Sequence, residues 1–378
     1  MKENKLYFRP DGTLHVLQVS DPQDLVHPRK AMLNMLGAAY DGLKPDLVLF
    51  TGDNTLGNHL LDVGPKRIVT LNRPEITLRQ MRRALRQILK PVDDRNIPFG
   101  MIYGNHDDMN DVSKEQQFAL YRAYETSLPM NETDRRVDCD TYVIRLCRAD
   151  GSTAWALYML DSAYTDETGG HCVIKEETVR WFTGTAAALK EENGGENVPG
   201  IVFLHVPLPE TERLCMPCEK THPGAVKTDT GWVCLDPTLA DGVMGESVSV
   251  GEDPYGLFDA IKEAGCIRAV VSGHDHLNCF DGVYDGVRFI QTGAASFRCY
   301  GGRVRGVREF VFRADDPVHF GTKHYTYDEI CGRGVKAQLR YFWDADDKVY
   351  EKWTVLGAGL LLGAAGAAIS VAKLKKRR

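Results

Sequence analysis

Polar residues of the types that bind metal ions recur at the ends of apolar segments. The motifs are SDPQD at residues 20–24, TGDN at 51–54, GNHDD at 104–108, LHVP at 204–207 and SGHDH at 272–276. Taken alone, a histidine or a Gly-Asp pair after a strand is usually structural. No structural requirement explains all five motifs in this order, so the series favours a common functional site.

The side chains of these motifs offer carboxylate, carboxamide and imidazole groups. Such groups are ligands for Mn, Fe or Zn ions, whereas a set of thiolates would indicate a structural zinc site. The motifs therefore predict a pocket that binds divalent metal ions through oxygen and nitrogen atoms.

The segments between the motifs alternate between apolar runs and amphipathic stretches. Strands are predicted at residues 14–19, 47–50, 97–103, 155–160, 201–204 and 268–272, and helices at residues 29–43 and 74–90. This alternation predicts an α/β architecture. Functional groups in open α/β sheets collect beyond the carboxyl ends of the strands, so the five motifs are expected to converge. Residues 214–253 show little periodicity and are predicted to form a long loop.

The composition is that of an ordinary globular protein. The chain has 378 residues, of which 43% are hydrophobic and 26% charged, and this excludes global disorder, collagen and coiled coils. Its 46 basic and 52 acidic residues give a net charge of −6, so we expect no nucleic-acid partner, whether sequence-specific or not. The ten cysteines are scattered, and the N-terminus lacks an apolar signal segment. Both features favour a reducing compartment.

The C-terminal region has a different composition. Residues 353–372 carry no charge and precede the basic tail KLKKRR at 373–378. As a helix this segment would be about 30 Å long, which matches the hydrocarbon core of a bilayer. Gly359 and Gly363 form a small-residue face that would allow helix-mediated self-association. We predict a transmembrane helix; a buried Gly/Ala-rich core helix is the alternative.

The orientation of this predicted helix is open to two interpretations. The positive-inside rule would place the basic tail in the cytoplasm, but no signal segment would export the rest of the chain. We expect a tail anchor that leaves residues 1–352 in the cytoplasm. The predicted organisation is then a main domain at 1–330, which carries the five motifs, a linker or peripheral extension at 331–352, the membrane helix at 353–372 and the tail.

The five motifs resemble those of the calcineurin-like metallophosphoesterase superfamily, which includes purple acid phosphatases, phosphodiesterases and DNA-repair nucleases. The similarity spans about residues 14–296, and GNHD and GHDH are its most specific elements. The pattern looks most like a bacterial branch similar to the purple acid phosphatases. The resemblance implies a four-layer αββα sandwich with two metal ions at one edge.

The resemblance also implies roles for individual residues. Seven side chains would bind the two ions: Asp21, Gln23, Asp53, Asn105, His205, His274 and His276. Asp53 would bridge both ions, Asp21 and His276 would bind the first with Gln23 beside them, and the other three would bind the second. His106 would act as the acid or electrostatic stabiliser near the leaving oxygen, oriented by Asp107.

Metal-ion chemistry accounts for these residue types. Two divalent ions close together need a shared anionic ligand, and a water molecule between them loses a proton at neutral pH and can attack phosphorus. This chemistry predicts hydrolysis of a phosphoester by a hydroxide that bridges the metals. The metal ligands do not distinguish monoesters from diesters, and we favour a phosphomonoester. The alternatives are a phosphodiesterase acting on a nucleotide or lipid-linked phosphodiester, and a non-catalytic metal-binding module.

Two departures from the family pattern bear on the metals. Most members have Asp-x-His where this chain has Asp21-Pro22-Gln23, and this change favours Mn or Mg over Fe at the first position. Zn remains a further candidate. The tyrosinate of purple acid phosphatases follows the second aspartate, but here the sequence from Asp53 is DNTL, so a purple Fe(III) centre is not expected.

Two further groups lie outside the five motifs. Cys215, Cys218, His222 and Cys234 could close a tetrahedral zinc site, although free thiols are the alternative. By position, Asn278, Arg298 and Tyr300 are candidates for contact with the substrate.

Overall fold

The structure is a computed structural model that describes residues 4–56, 59–62, 68–70, 73–110, 112–131, 134–164 and 172–345. The strands in these ranges are β1 (Lys5–Tyr7), β2 (Thr13–Val19), β3 (Leu47–Thr51), β4 (His59–Asp62), β5 (Ile68–Thr70), β6 (Phe99–Ile102), β7 (Tyr142–Cys147), β8 (Thr153–Met159), β9 (Gly200–Phe203), β10 (Cys215–Pro217), β11 (Val226–Lys227), β12 (Trp232–Leu235), β13 (Ala240–Val243), β14 (Ile267–Ser272), β15 (Cys279–Tyr284), β16 (Val287–Gln291), β17 (Gly306–Arg313) and β18 (Gly321–Thr326). The α-helices are α1 (Lys30–Leu43), α2 (Pro74–Ile88), α3 (Lys90–Asp93), α4 (Asn105–Asp108), α5 (Lys114–Tyr121), α6 (Glu176–Glu192), α7 (Leu257–Ala264), α8 (Tyr327–Cys331) and α9 (Val335–Asp344).

Two large mixed sheets form the centre of the protein. One has five strands in the order β18-β17-β2-β3-β6, and the other has eight in the order β1-β7-β8-β9-β14-β16-β15-β13. Strands β2, β3 and β6 are parallel to one another, and so are β8, β9, β14 and β16. Parallel strands end at the same edge of a sheet, so the loops that follow them lie side by side.

The side chains of β8 show how the layers are arranged. Trp155, Leu157 and Met159 lie in one hydrophobic core, whereas Ala156 and Tyr158 lie in a second core. Because successive side chains of a strand point to opposite faces, the eight-stranded sheet is buried on both sides.

Ring contacts identify what covers each face of that sheet. On one side the ring of Trp155 lies 5.1 Å from that of Phe312 on β17, so this core lies between the two sheets. On the other side Phe182 of α6 lies 5.1 Å from Tyr158. Helix α1 contacts β17 and buries Met32 against the five-stranded sheet. The layers are therefore helix, sheet, sheet, helix, as the resemblance implies.

The elements that position the five motifs are confirmed. Strands β2, β3, β6, β8, β9 and β14 agree with the predicted strands within two residues at each end, and α1 and α2 agree equally well with the predicted helices. The prediction succeeded because buried parallel strands have nearly continuous apolar sequences.

The prediction of a long loop at residues 214–253 is wrong. This segment contains β10, β11 and β12, which form a small antiparallel sheet, and β13, which pairs with β15 at the edge of the eight-stranded sheet. Most side chains of the small sheet are partly exposed, so the sequence lacks the clear alternation that marks a half-buried strand.

The predicted membrane helix and basic tail lie outside the described residues. No helix in the described ranges is long and apolar enough to cross a membrane. Within the segment predicted as a linker or extension, α9 packs against the first core through Tyr341, which is 2% exposed.

Candidate metal centre

The predicted metal ligands follow β2, β3, β6, β9 and β14; Asn105 is the first residue of α4, and the others lie in loops. Ligand atoms of Asp21, Asp53 and His276 lie within 4.8 Å of one another, and so do those of Asp53, His205 and His274. The two clusters therefore share Asp53, the residue expected to bridge two ions.

Two amide side chains join these clusters. The Gln23 amide nitrogen donates a hydrogen bond of 3.0 Å to Oδ2 of Asp53. The Asn105 side-chain oxygen lies 3.2 Å from Nε2 of His205. The structure thus brings all seven predicted ligands together.

Several oxygen atoms of this group are buried without a partner. Oδ1 of Asp21 and the side-chain oxygen of Gln23 have no hydrogen-bond partner among the described residues, although these residues are 0% and 1% exposed. Oδ1 of Asp21 lies 3.4 Å from Nε2 of His276. Buried acceptors normally have a partner, so unpartnered ones call for an explanation such as a bound ion.

Backbone carbonyl groups set the orientation of two histidine rings. Nδ1 of His205 lies 2.9 Å from the carbonyl oxygen of Thr51, and Nδ1 of His276 lies 2.9 Å from that of Tyr300. A carbonyl only accepts hydrogen bonds, so Nδ1 carries the proton in each neutral ring and Nε2 presents its lone pair to the pocket. Carbonyl groups commonly orient metal-binding histidines in this way.

The buried aspartates and histidines of the site shift one another's pKa values. Burial alone would lower the pKa of His205, but the charges of Asp53 and Asp21 raise it to about 10. Burial would raise the pKa of Asp53, but the charge and hydrogen bond of His205, together with the charges of His106 and His274, offset this and hold the pKa below its usual range. Burial, together with His205, lowers the pKa of His274 to about 4. The site thus combines two carboxylates and an imidazole whose pKa values are all lowered, a set of anionic and neutral groups that suits a cation.

Three of the candidate ligands have left-handed backbone conformations. The φ angles are +49° at Asp21, +49° at Asp53 and +72° at His274. Residues other than glycine adopt such angles at a cost, and they cluster at functional sites. These conformations turn the chain sharply after β2, β3 and β14, so that each side chain points into the shared pocket.

The glycines of the motifs are required for space. A Cβ atom would lie 2.3 Å from Nδ1 of His205 if placed at Gly52, and 2.2 Å from Oδ1 of Asp53 if placed at Gly104. At Gly273 it would lie within bonding distance of the Ser20 hydroxyl, next to Asp21. Each glycine therefore allows a ligand from another loop to approach the backbone closely.

His106 lies at the mouth of the site. Its backbone N–H donates a hydrogen bond of 2.9 Å to Oδ1 of Asp53, and its Nε2 lies 4.0 Å from Oδ2 of the same residue. The side chain is 36% exposed, so it can meet a substrate that enters from solvent.

The contacts of Asp107 differ from those expected of a residue that orients His106. Its carboxylate accepts hydrogen bonds from the backbone N–H groups of Asn54, Thr55 and Gly104. Asp107 therefore joins the loops that carry Asp53 and Asn105. Burial and the charge of Asp53 raise its pKa to about 7.

The three residues proposed by position have different roles. Asn278 is fully buried, and its side chain accepts hydrogen bonds from the backbone of residues 245 and 246. The prediction that it contacts the substrate is therefore wrong. Arg298 forms an ion pair of 2.9 Å with buried Asp24. The ring of Tyr300 stacks 4.4 Å from that of His276, and its carbonyl group orients that histidine. The sequence carries no signal for such backbone contacts.

The donor set fits divalent metal ions. Two carboxylates, two amide groups and three imidazoles surround the pocket, and the unpartnered oxygen atoms belong to this set. Mixed oxygen and nitrogen ligands of this kind suit Mn, Fe, Zn or Mg.

The chain is similar to proteins of known families. The family model for calcineurin-like phosphoesterases matches residues 14–278, well over half of the chain. “Probable inactive purple acid phosphatase 28” of Arabidopsis thaliana is 24% identical, covering 78% of this chain and 74% of the plant protein. “Phosphatase DCR2” of Saccharomyces cerevisiae is 25% identical, covering 68% of this chain and 40% of the yeast protein.

A comparison of structures gives a related result. A dimetal phosphatase from Danio rerio has a TM-score of 0.43 at 12% identity, over 82% of this chain and 99% of the fish protein. The family match rests on the same segment that carries the ligand-bearing loops. The chain belongs to the calcineurin-like phosphoesterase family of metal-dependent phosphoester hydrolases.

Proposed function

We propose that the protein hydrolyses a phosphomonoester at a centre of two divalent metal ions. The observation that carries this proposal is the position of Asp53, which belongs to both clusters of potential ligands. A carboxylate has two oxygen atoms, and a shared anionic ligand is what two neighbouring cations require.

The residues divide into two ligand sets around Asp53. Asp21, His276 and the unpartnered oxygen of Gln23 would hold the first ion, and Asn105, His205 and His274 would hold the second. When bound, two such ions activate a water molecule as the nucleophile and neutralise charge on the phosphoryl oxygens.

The chain itself supplies the leaving-group chemistry. His106 lies at the mouth of the pocket and is held through its backbone N–H by Asp53. From this position its imidazole can give a proton to the departing alkoxide, a contribution typically worth about 10²–10⁴-fold in rate. Asp107 would affect the reaction only indirectly, because its carboxylate holds the backbone at Asn54 and Gly104, next to Asp53 and Asn105.

A second candidate function is metal binding without turnover. The names of similar plant proteins include the word inactive. In this chain, however, His106 and all seven candidate ligands are present and converge, which supports catalysis.

The test uses the full chain, depleted of metal and reloaded separately with Mn, Mg, Zn or Fe. We expect two Mn ions per chain and faster hydrolysis of p-nitrophenyl phosphate than of bis(p-nitrophenyl) phosphate. Asp53→Asn should lose both activities, while the same change at Asp241, an exposed aspartate of β13, should not. Faster cleavage of the diester would indicate a phosphodiesterase. Two bound ions with no more turnover than Asp53→Asn would indicate the non-catalytic alternative.

We also propose that residues 353–372 anchor the enzyme to a membrane, with the catalytic domain in the cytoplasm. The support is the uncharged segment followed by six residues of which five are basic. Fractionation should find the full chain in membranes and a variant without residues 353–378 in the soluble fraction. Protease added to intact cells should leave the catalytic domain uncut; cleavage would reverse the proposed orientation.

A further inference from the structure

The small sheet formed by β10, β12 and β11 carries a second cluster of metal-binding groups. Ligand atoms of Cys218, His222 and Cys234 lie within 4.8 Å of one another. These residues come from the segment between the loops that carry His205 and His274, and none of them belongs to the candidate metal centre. We propose that they bind one zinc ion.

The register of the small sheet selects these cysteines. Met216 of β10 pairs with Cys234 of β12, and the N–H of Cys218 continues the pairing with a 2.9 Å hydrogen bond to the carbonyl of Trp232. Residues two apart in a strand share a face, so Cys218 and Cys234 lie on the same side of the sheet.

The same register shows that Cys215, which the sequence suggested as a fourth zinc ligand, does not belong to this cluster. Cys215 pairs with Leu235, and its side chain belongs to the opposite face. There its sulfur lies 3.5 Å from that of Met244, and the residue packs against the second hydrophobic core. Among the residues that the structure describes, three ligands therefore remain rather than four.

Two turns hold His222 over this face. Its N–H donates to the carbonyl of Glu219, and its own carbonyl accepts from the N–H of Ala225, each at 2.9 Å. His222 is exposed, whereas Cys234 is buried. A zinc ion bound to all three would have a fourth position open towards solvent, for water or an external ligand.

One face of the small sheet packs against the second hydrophobic core through Cys215, Val226, Val233 and Leu235. Of the nine residues in its three strands, Cys234 alone is buried. Two thiolates and an imidazole are a ligand set that zinc prefers, whereas Mn and Mg prefer oxygen. The site would thus differ in metal preference from the main centre.

A stable small sheet also matters for the neighbouring loop. The chain leaves it through β13 and then runs past the GHDH motif, where the N–H groups of Gly245 and Glu246 bind Asn278 and the N–H of Ser249 binds Asp275. Zinc would therefore fix the start of the segment that packs against the loop of His274 and His276.

The test measures coordination rather than turnover, so it is independent of the proposed hydrolase activity. The full chain is loaded with Mn and one equivalent of zinc, and zinc X-ray absorption is recorded. We expect one zinc ion per chain with Zn–S distances of about 2.3 Å. With cobalt in place of zinc, a thiolate-to-metal charge-transfer band should appear in the near ultraviolet.

Variants identify the ligands. Cys218→Ser and His222→Ala should each lose the sulfur-bound zinc or bind it at least tenfold more weakly, whereas Cys215→Ser, a matched change three residues away, should retain it. Because His222 is exposed, His222→Ala should fold even if Cys218→Ser does not. Sulfur-bound zinc at wild-type affinity in His222→Ala and in any folded Cys218→Ser would refute the site. A Cys218–Cys234 disulfide without zinc in freshly purified protein would also overturn it.

Discussion

Gly104 offers a direct test of whether close packing positions the Asp53 carboxylate. Its backbone angles are φ −109° and ψ 179°, which alanine adopts without strain. Any effect of Gly104→Ala must therefore come from the added methyl group rather than from the backbone conformation.

The size of the effect follows from the structure. The new carbon would lie 2.2 Å from Oδ1 of Asp53, 2.4 Å from the backbone nitrogen of Asp53 and 2.7 Å from the His205 ring. Nonbonded heavy atoms settle at about 3.5 Å, so both the backbone and the carboxylate of Asp53 would have to move by about 1 Å. Overpacking of this kind costs about 1–3 kcal/mol, which is a fraction of the roughly 5–15 kcal/mol that stabilises a domain. The variant should therefore fold, but a shift of about 1 Å lowers the rate by about 10²-fold.

The assay compares Gly104→Ala with Gly184→Ala. Gly184 is exposed within α6, and a Cβ there would have no atom within 4 Å. This control should gain about 1 kcal/mol of stability from helix propensity and leave turnover unchanged. Calorimetry would give the Mn affinity, steady-state kinetics kcat/KM, and thermal unfolding the melting temperature.

Wild-type Mn affinity and turnover in a folded Gly104→Ala would refute the reasoning, because the methyl group would then have found room without moving Asp53. If the variant were unfolded at the assay temperature, Asp53→Asn would test the same ligand. The asparagine has nearly the same volume as the aspartate and adds no steric conflict.

Three further predictions concern other parts of the chain. His106→Ala should lower kcat by about 10²-fold or more while both ions stay bound, so loss of metal would make its role structural. Burial and the charge of Asp161 raise the pKa of Asp140 to about 8, so the folded state keeps a proton that the unfolded chain loses near pH 4. The free energy of unfolding should therefore fall between about pH 4 and 8, and Asp140→Asn should flatten this dependence in urea titrations. Deleting residues 353–378 should release the protein from membranes without changing turnover; a soluble full chain would contradict the anchor.

The sequence predicted the convergence of the ligands because the fold uses a simple rule. Each buried parallel strand has an apolar sequence, and the polar residue that follows it lies at the shared edge. Asp21, Asp53 and His205 could therefore be placed from strand ends alone. The small sheet at residues 215–235 was missed because its strands are short and mostly half-exposed, so they lack a periodic pattern.

The expectation that Asp107 orients His106 rested on their being neighbours in the sequence, and this was misleading. His106 and Asp107 are consecutive residues of α4, and successive side chains on a helix do not face each other. The turn that sends His106 towards the mouth of the pocket sends Asp107 into the protein, where it binds the backbone of Asn54 and Gly104.

The motif GNHD combines two functions, positioning of the metal ligands and contact with the substrate, and the helical turn assigns them to different residues. Gly104 gives Asp53 room, Asn105 faces His205, and Asp107 ties the loop of Asp53 to α4.

Removing the carboxylate of Asp107 should therefore move Asp53 and Asn105 together, whereas removing the imidazole of His106 leaves the loops in place. Asp107→Asn keeps the shape but replaces one acceptor with a donor opposite the N–H groups of Asn54 and Gly104. It should lower metal affinity and the melting temperature, which His106→Ala should leave unchanged. Equal metal affinity in both variants would show that Asp107 does not position the ligands.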